Sequence, residues 1–545
     1  MNDFNIKKQE LENIYGKISP FEFKNMLISL ATSSQQKNTH TLLDAGRGNP
    51  NWLAVYPREA FFTFGYFALS ESRHSWNMKE LTGIPIKHGI SERLFKFLHE
   101  HSELPGTKIL KDIINYGISK LNFDPDSYVY ELTDAILGDN YPSPDKMLVH
   151  CEKVVKKYLV KEMKYNTKLG GDFDVFAVEG ATAAICYIFD SLLANNLLLK
   201  GDKIAIMTPI FTPYLEIPSL PRYEFDVVYI NADETSNDKK HTWQYSDSQL
   251  SKLCDKDIKA LFVVNPSNPP SVAICADTIN KLIDIVKNYN PNLMIISDDV
   301  YGTFVPEFKS LMTSIPYNTI ACYSYSKYFG ATGWRLGTLA IHKNNIFDKL
   351  ISELPYDIKK RTNKRYSSMS TTPDKVPFIN RIIADSRQVA LNHTSGLSTP
   401  QQVQMAFFST YALIDTDDSY KNLTIDICHK RRKLLFDSLG IEIHDNKYEA
   451  AYYTQFDLLE LIEYHYGKEF VEYVKSNYKP IDVLFTLAKD YSIVLLSGEG
   501  FAGPEWSIRV SLANLYDEAY TEIGISLKRI LDGYVAEWKN SINKK

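Results

Sequence analysis

Cysteine is scarce and scattered. Cys151, Cys186, Cys254, Cys275, Cys322 and Cys428 form no C-x-x-C pair and fall at no metal-ligand spacing, so neither a disulfide framework nor a structural zinc site organises the chain. The expected role is a free thiol in a reducing compartment, packed as a small hydrophobe. A continuous apolar stretch of ~18 residues is also missing, and the opening MNDFNIKKQE has no apolar signal core. A soluble cytoplasmic protein is expected. Nor is there an excess of positive charge: 61 Lys and Arg stand against 66 Asp and Glu, a net charge of −5. Without a basic field, nucleic acid and anionic membranes are not expected partners. Internal repeats and low-complexity tracts are absent as well.

What is present suits a large folded protein. At 545 residues, 44% hydrophobic and 13% aromatic, the chain can bury the cores of two or three domains. Residues 1–45 read as an arm. In SPFEFKNMLISLA, Ser19, Pro20 and Glu22 take the N-cap, N1 and N3 places of a capping box, and Phe23, Met26, Leu27 and Leu30 mark one helix face. From about residue 170, short apolar runs alternate with helical ones. FDVFAV (173–178), KIAIMT (203–208), ALFVVN (260–265), LMIISD (293–298) and IACYSY (320–325) read as buried strands. The first helix between them carries Ile185, Ile188, Phe189, Leu192 and Leu193 after EGATAA. This alternation predicts an α/β fold with a mainly parallel sheet, whose ligands gather beyond the carboxyl ends of the strands.

The basic, Ser/Thr-rich stretch at 355–395 is expected to be a surface insertion, read as a solvated loop. After 420, HKRRKLLFDSLG reads as a helix closed by Gly440, with SIVLLSGEGFAG and WSIRVSLANL as strands of a smaller C-terminal domain.

The strand ends carry an ordered set of chemically capable residues. Strand 173–178 runs into Glu179, Gly180, Ala181 and Thr182 at a helix start, where unpaired N–H groups and the helix dipole can hold an anion such as phosphate. TPIFTPY offers Phe211 and Tyr214 to cover a flat ligand. NPSNPPS (265–271) forms a rigid turn expected to expose the amide of Asn268. ISDDVYG sends out Asp298 and Tyr301, and SYSKYFGATGWRLG holds Ser324, Lys327 and Arg335 among small residues.

That order resembles the fold-type I pyridoxal phosphate enzymes, the aspartate aminotransferase superfamily. The resemblance implies a mainly parallel seven-stranded sheet in a large domain beside a smaller α/β domain built from both chain ends. Its boundaries are expected as an arm at 1–45, a small domain of 46–105 with 415–545, and a large cofactor domain of 106–414. It implies pyridoxal 5′-phosphate as cofactor, joined covalently to Lys327, which also moves the proton at the substrate's Cα. Gly180, Ala181, Thr182, Ser324 and Arg335 would bind the phosphate, and Asp298 the pyridine nitrogen. Asn268 and Tyr301 would meet the ring hydroxyl, and Phe211 would stack on the ring, where aminotransferases commonly have Trp. Arg509 in WSIRVSLANL would grip the substrate α-carboxylate, with Gly48 at the turn beside it. Tyr141 would match the tyrosine that reaches a neighbouring subunit's phosphate, so the protein is expected to be a homo-oligomer, at least a dimer.

Five phrases narrow the resemblance: SPFEFK, LLDAGRGNPNWLAVYPREAFF, GDNYPSPDKML, NPPS in place of the commoner NPTG, and NHTSGLSTPQQ. Together they resemble the aspartate 4-decarboxylases, whose members also transaminate aspartate with 2-oxo acids and form dodecamers. The reaction implied is L-aspartate to L-alanine and carbon dioxide. Because decarboxylation discharges the β-carboxylate, a rearrangeable cation is expected there instead of a tight clamp: Arg47 first, Lys24 second. A plain class I aminotransferase shares every cofactor residue and is the alternative. A cofactor-binding transcription regulator would need a basic module before residue 45, and nothing basic or helix-turn-helix-like stands there.

Overall fold

The computed structural model describes residues 18–35, 41–76, 83–164, 170–236, 240–387, 396–443 and 446–543. Residues 1–17 of the expected arm and 388–395 of the expected insertion lie outside them.

The five apolar runs form strands Phe173–Val178, Lys203–Thr208, Ile258–Val264, Met294–Asp298 and Thr319–Ser324, within two residues of expectation. Every residue of Met294–Asp298 and Thr319–Ser324 is buried, which is why these strands read as unbroken apolar runs without alternation. Two further strands complete a seven-stranded sheet, Asp226–Asn231 and Gly337–His342. In spatial order the sheet runs 173–178, 337–342, 319–324, 294–298, 258–264, 203–208, 226–231. Gly337–His342 is antiparallel to both neighbours and all other pairs are parallel. The parallel strands therefore deliver their carboxyl ends to one edge, where Thr208, Val264, Asp298 and Ser324 stop.

A second, three-stranded antiparallel sheet places Ser507–Ser511 between Leu496–Ser497 and Tyr453–Asp457. Arg509 of its central strand faces Gln455 of one neighbour and Leu496 of the other. Helix Ser419–Leu439 ends at Gly440, whose φ of 70° is the left-handed closure expected there. It packs along helix Asp517–Ile542. Leu43–Asp44 pairs with Ile493–Val494, tying the amino-terminal segment to the carboxyl-terminal one. Helix Pro20–Gln35 begins at the expected proline and lays Phe23, Leu27 and Leu30 against helix Pro480–Tyr491, with Phe23 edge-on to Phe485 at 5.5 Å.

The solvated-loop reading of 355–395 is corrected by the fold. Helices Tyr356–Tyr366 and Phe378–Ser386 occupy it. Arg381 is fully buried and donates to Asn195 Oδ1 at 2.9 Å and to the carbonyls of Val376 and Pro373 at 3.0 and 2.8 Å. Tyr366 donates to Asp385 at 2.8 Å. Lys360, Arg361, Lys364 and Arg365 are exposed charges on the first helix, beside this buried polar seam. Helix Val55–Ser75, expected with the smaller domain, packs instead on Thr107–Lys120, Pro125–Leu137 and Thr399–Ile414.

Among the described residues no helix is long and apolar enough to cross a membrane, and no cluster of His, Cys, Asp or Glu could hold a metal ion. Burial pushes up the thiols of Cys151, Cys322 and Cys428.

Candidate active site

The anion cradle is built from two loops pressed together. Gly180 is the N-cap of helix Ala181–Ala194, and its φ of 91° is one that a side chain rarely tolerates. Arg335 follows the short 3-10 turn Thr332–Trp334 and itself takes a left-handed φ of 53°. Its guanidinium donates to the carbonyls of Thr332 at 3.1 Å and Glu179 at 3.3 Å. A Cβ at Gly180 would stand 2.7 Å from Arg335 Nη2, and one at Gly337 would stand 2.5 Å from the Gly180 Cα. Gly337→Ala therefore drives one backbone into another. We expect it to destabilise the fold by about 1–3 kcal/mol, read as a lower urea midpoint at unchanged slope. Ser324 ends its strand here, donating to Ser326 Oγ at 2.9 Å. The cradle thus unites free helix N–H groups, a hydroxyl pair and an exposed guanidinium, the donor set that suits a phosphate.

The floor is a buried carboxylate. Asp298, 5% exposed, accepts from the Tyr214 hydroxyl at 2.6 Å and the Val300 N–H at 3.2 Å. Burial pushes its carboxyl up to about 6, against the opposing pull of those two donors and of Lys327. Such a group gains from a cationic partner. Phe211 is half-buried, edge-on to Tyr214 at 5.5 Å and to Phe21 at 5.8 Å. Asn268 departs from expectation: it is not exposed but 3% accessible, because the 265–271 turn is covered by the segment running into Tyr453, where Ala450 N–H donates to the Ser271 carbonyl at 2.7 Å. Its Oδ1 is buried with no partner among the described residues, an amide held ready for a ligand.

The reactive face lies where five chain segments meet. Lys327 Nζ donates to the Gly48 carbonyl at 3.0 Å, and the Tyr452 hydroxyl donates to the same oxygen at 2.8 Å. A Cβ on Gly48 would lie 2.6 Å from Tyr453 Oη and 3.1 Å from Lys327 Nζ, so a side chain there would displace the hydroxyl and crowd the amine. Arg509, 2% exposed, donates to the Gly46 carbonyl at 3.2 Å and lies with its guanidinium carbon 3.8 Å from the Tyr453 ring centroid. Its Nε is buried without a partner among the described residues. Tyr301 donates to Tyr453 Oη at 3.0 Å. Burial alone would push the Tyr453 phenol up, yet the two nearby cations and the Tyr301 bond hold it below the usual tyrosine range.

Both rim cations arrive at the same turn. The stem of Lys24 packs on Gly46, with Cδ 3.0 Å from where a Cβ would stand, and Arg47 Nε meets Asp44 Oδ2 at 2.9 Å. With 58% of its side chain exposed, Arg47 is held by a contact worth at most about 1 kcal/mol. Tyr141 stands apart, 73% exposed, lining an open groove with Glu179 and Tyr187 beside the cradle. Sequence reasoning missed Tyr452 and Tyr453, and gave Tyr214 no bond to Asp298. The tandem tyrosine opening the strand opposite Arg509 was the available signal.

An amine held on a backbone carbonyl, a buried carboxylate, an anion cradle and a buried arginine are the equipment of an enzyme. The model described as aminotransferase class I and II matches residues 140–524, and the chain belongs to that family. It is 44% identical over 524 residues, 96% of this chain and 97% of the relative, to a bifunctional aspartate aminotransferase and L-aspartate beta-decarboxylase from Pseudomonas sp.. An aspartate aminotransferase from Sulfolobus acidocaldarius is 25% identical, over 74% of this chain and 86% of its own. The fold is that of a Thermus thermophilus aspartate aminotransferase single mutant, with a TM-score of 0.56 at 15% identity, over 94% of this chain and 96% of that one.

Proposed function

We propose that this enzyme uses pyridoxal 5′-phosphate to convert L-aspartate to L-alanine and carbon dioxide, with aspartate transamination as a second outlet. The observation that carries the reading is the Lys327 amine, resting on the Gly48 carbonyl between buried Asp298 and buried Arg509. The orphaned Asn268 oxygen and the Gly180 cradle fit that cofactor. Gly180, Ala181, Thr182, Ser324 and Arg335 would hold its phosphate and Asp298 its ring nitrogen; the orphaned Asn268 oxygen would accept from its ring hydroxyl, with Tyr301 beside it still donating to Tyr453, and Phe211 would cover its face. When bound, the cofactor supplies an electron-accepting ring conjugated to the substrate nitrogen.

The chain's own residues do the rest. Arg509 binds the α-carboxylate through a planar fork suited to it, and that fixes which Cα bond faces Lys327. Lys327 removes the Cα proton and carries it on. Asp298, charged once it faces a cation, keeps the ring nitrogen protonated. Arg47 and Lys24 meet the β-carboxylate loosely, and a loose partner leaves more of the carboxylate's charge free to depart. Tyr141, exposed at the rim of the cradle, would serve the phosphate of a second copy of the chain.

The relative covering nearly the whole chain carries both activities in its name, which favours decarboxylation over a plain aminotransferase. An NMR time course with aspartate and added cofactor tests it: alanine should accumulate over many turnovers without any keto acid. One turnover to oxaloacetate and then arrest would reject the decarboxylase. The rim is tested by Arg47→Ala and Lys24→Ala. Arg47→Ala should change the alanine-to-oxaloacetate ratio about tenfold, about 1.4 kcal/mol between the two exits, while stability moves by less than about 1 kcal/mol. An unchanged ratio in both variants would remove them from the β-carboxylate.

A further inference from the structure

Decarboxylation needs a proton at Cβ, and Lys327 does not have one to give. Once the ε-amine has taken the Cα proton and passed it on, it is a neutral amine, and its remaining N–H bonds are far too weakly acidic to protonate carbon. When the β-carboxylate leaves as carbon dioxide, the electrons of the broken C–C bond must return to Cβ with a proton from another group.

Three tyrosine hydroxyls gather at the Gly48 turn beside Lys327, and their hydrogen bonds separate them. Tyr452 gives its proton to the Gly48 carbonyl at 2.8 Å, and Tyr301 gives its proton to Tyr453 Oη at 3.0 Å. Tyr453 accepts that bond, and among the described residues no acceptor takes its own proton. Tyr453 Oη and Lys327 Nζ close on one point, 2.6 and 3.1 Å from the Cβ position that Gly48 leaves vacant. The backbone behind the hydroxyl is fixed: Tyr453 starts the strand paired with Ser507–Ser511, and its N–H donates to Ser271 Oγ at 2.9 Å.

We propose that Tyr453 is a further catalytic residue, the acid that protonates Cβ after carbon dioxide leaves. The inference rests on the decarboxylase reading above. In the step, the Tyr453 O–H bond breaks, a C–H bond forms at Cβ, and the phenolate left behind is reprotonated from water once alanine departs. No oxidant or reductant is needed. The phenolate is stabilised by the Arg509 guanidinium at 3.8 Å from the ring and by the Tyr301 hydroxyl. The charged and titratable groups facing it are Lys327, Arg509, Tyr301 and Tyr452. In the empty protein both cations hold the phenol below its usual range; at the step itself, with Lys327 neutral, Arg509 is the cation that remains against the ring.

The test is Tyr453→Phe, which keeps the ring over Arg509. The alanine-to-oxaloacetate ratio from aspartate should fall at least tenfold, because transamination needs no proton at Cβ; a ratio within twofold of the parent overturns the assignment. A second readout uses the cofactor-free protein. An ultraviolet difference titration of parent against variant should show one phenolate appearing below the ordinary tyrosine range, and identical curves overturn it. Should the variant fail to fold, fluorotyrosine at 453 preserves the packing and should move the pH dependence of the ratio downward. An unmoved profile counts against Tyr453. If the parent enzyme itself makes no alanine, the decarboxylase reading falls and the inference with it; alanine from the parent with an unaltered variant ratio removes Tyr453 alone.

Discussion

Lys327→Ala should lower aspartate turnover by about 10^4-fold or more, the upper range for a positioned proton-transfer group that is also the point of covalent attachment. The fold should survive. The side chain gives up one hydrogen bond, to Gly48 at 3.0 Å, a loss of about 1 kcal/mol. Borohydride treatment of the parent enzyme followed by peptide mapping should leave reduced coenzyme on the peptide containing position 327, and none on that peptide in the variant. Reduced coenzyme found on a different lysine of the parent enzyme would end the reading of this site.

Asp298→Asn should have effects of opposite sign on the empty and the working protein. Burial raises the carboxyl from 3.8 to about 6. Between those values the native state binds more protons than the unfolded one, so its stabilising contribution is complete below about 4 and is lost as the pH rises through about 6. The difference of 6 − 3.8, about 2 units, corresponds to about 3 kcal/mol. The cofactor-free variant should therefore denature at a higher urea concentration than the parent at pH 8, with the gap closing towards pH 4. In the loaded enzyme, on the reading proposed above, the carboxylate would face a ring nitrogen. Breaking a buried pair costs about 3–5 kcal/mol, so turnover should fall about 10^2- to 10^4-fold. A variant that unfolds earlier at pH 8 and turns over normally would show that Asp298 is a structural acid and no more.

The place of the candidate site was legible because parallel strands end where ligands bind. Asp298, Ser324 and the residues after Val178 sit at sheet edges that the apolar runs already mark. What the sequence hid has physical reasons. Asp226–Asn231 is an edge strand with one buried residue, Ile230, so it carried no apolar run. Gly337–His342 opens on the glycine that Gly180 requires, and glycine reads as a turn. Helix Tyr356–Tyr366 buries only Thr362 and Tyr366, too little to print a helical period on a basic segment. Asn268 looked exposed because the strand that covers its turn lies almost two hundred residues further along. Tyr453 was hidden for the same reason: its meaning comes from Gly48, Tyr301, Lys327 and Arg509, each on a different segment. Arg47 was half legible. Its place beside the turn was foreseen, but its bond to Asp44 depends on a backbone bend that carries no signature.

Five residues, 44 to 48, connect the parts of this catalyst that must act together. The Asp44 carbonyl is tied to Asn514, the Ala45 carbonyl to Ser511 and the Gly46 carbonyl to Arg509, while the Gly48 carbonyl is tied to Lys327. The amine has to leave its carbonyl before it can react, and the oxygen it leaves keeps Tyr452. The grip expected of Arg509 and the resting place of Lys327 thus stand two residues apart on one stretch of backbone, held through oxygens that no side-chain substitution can delete.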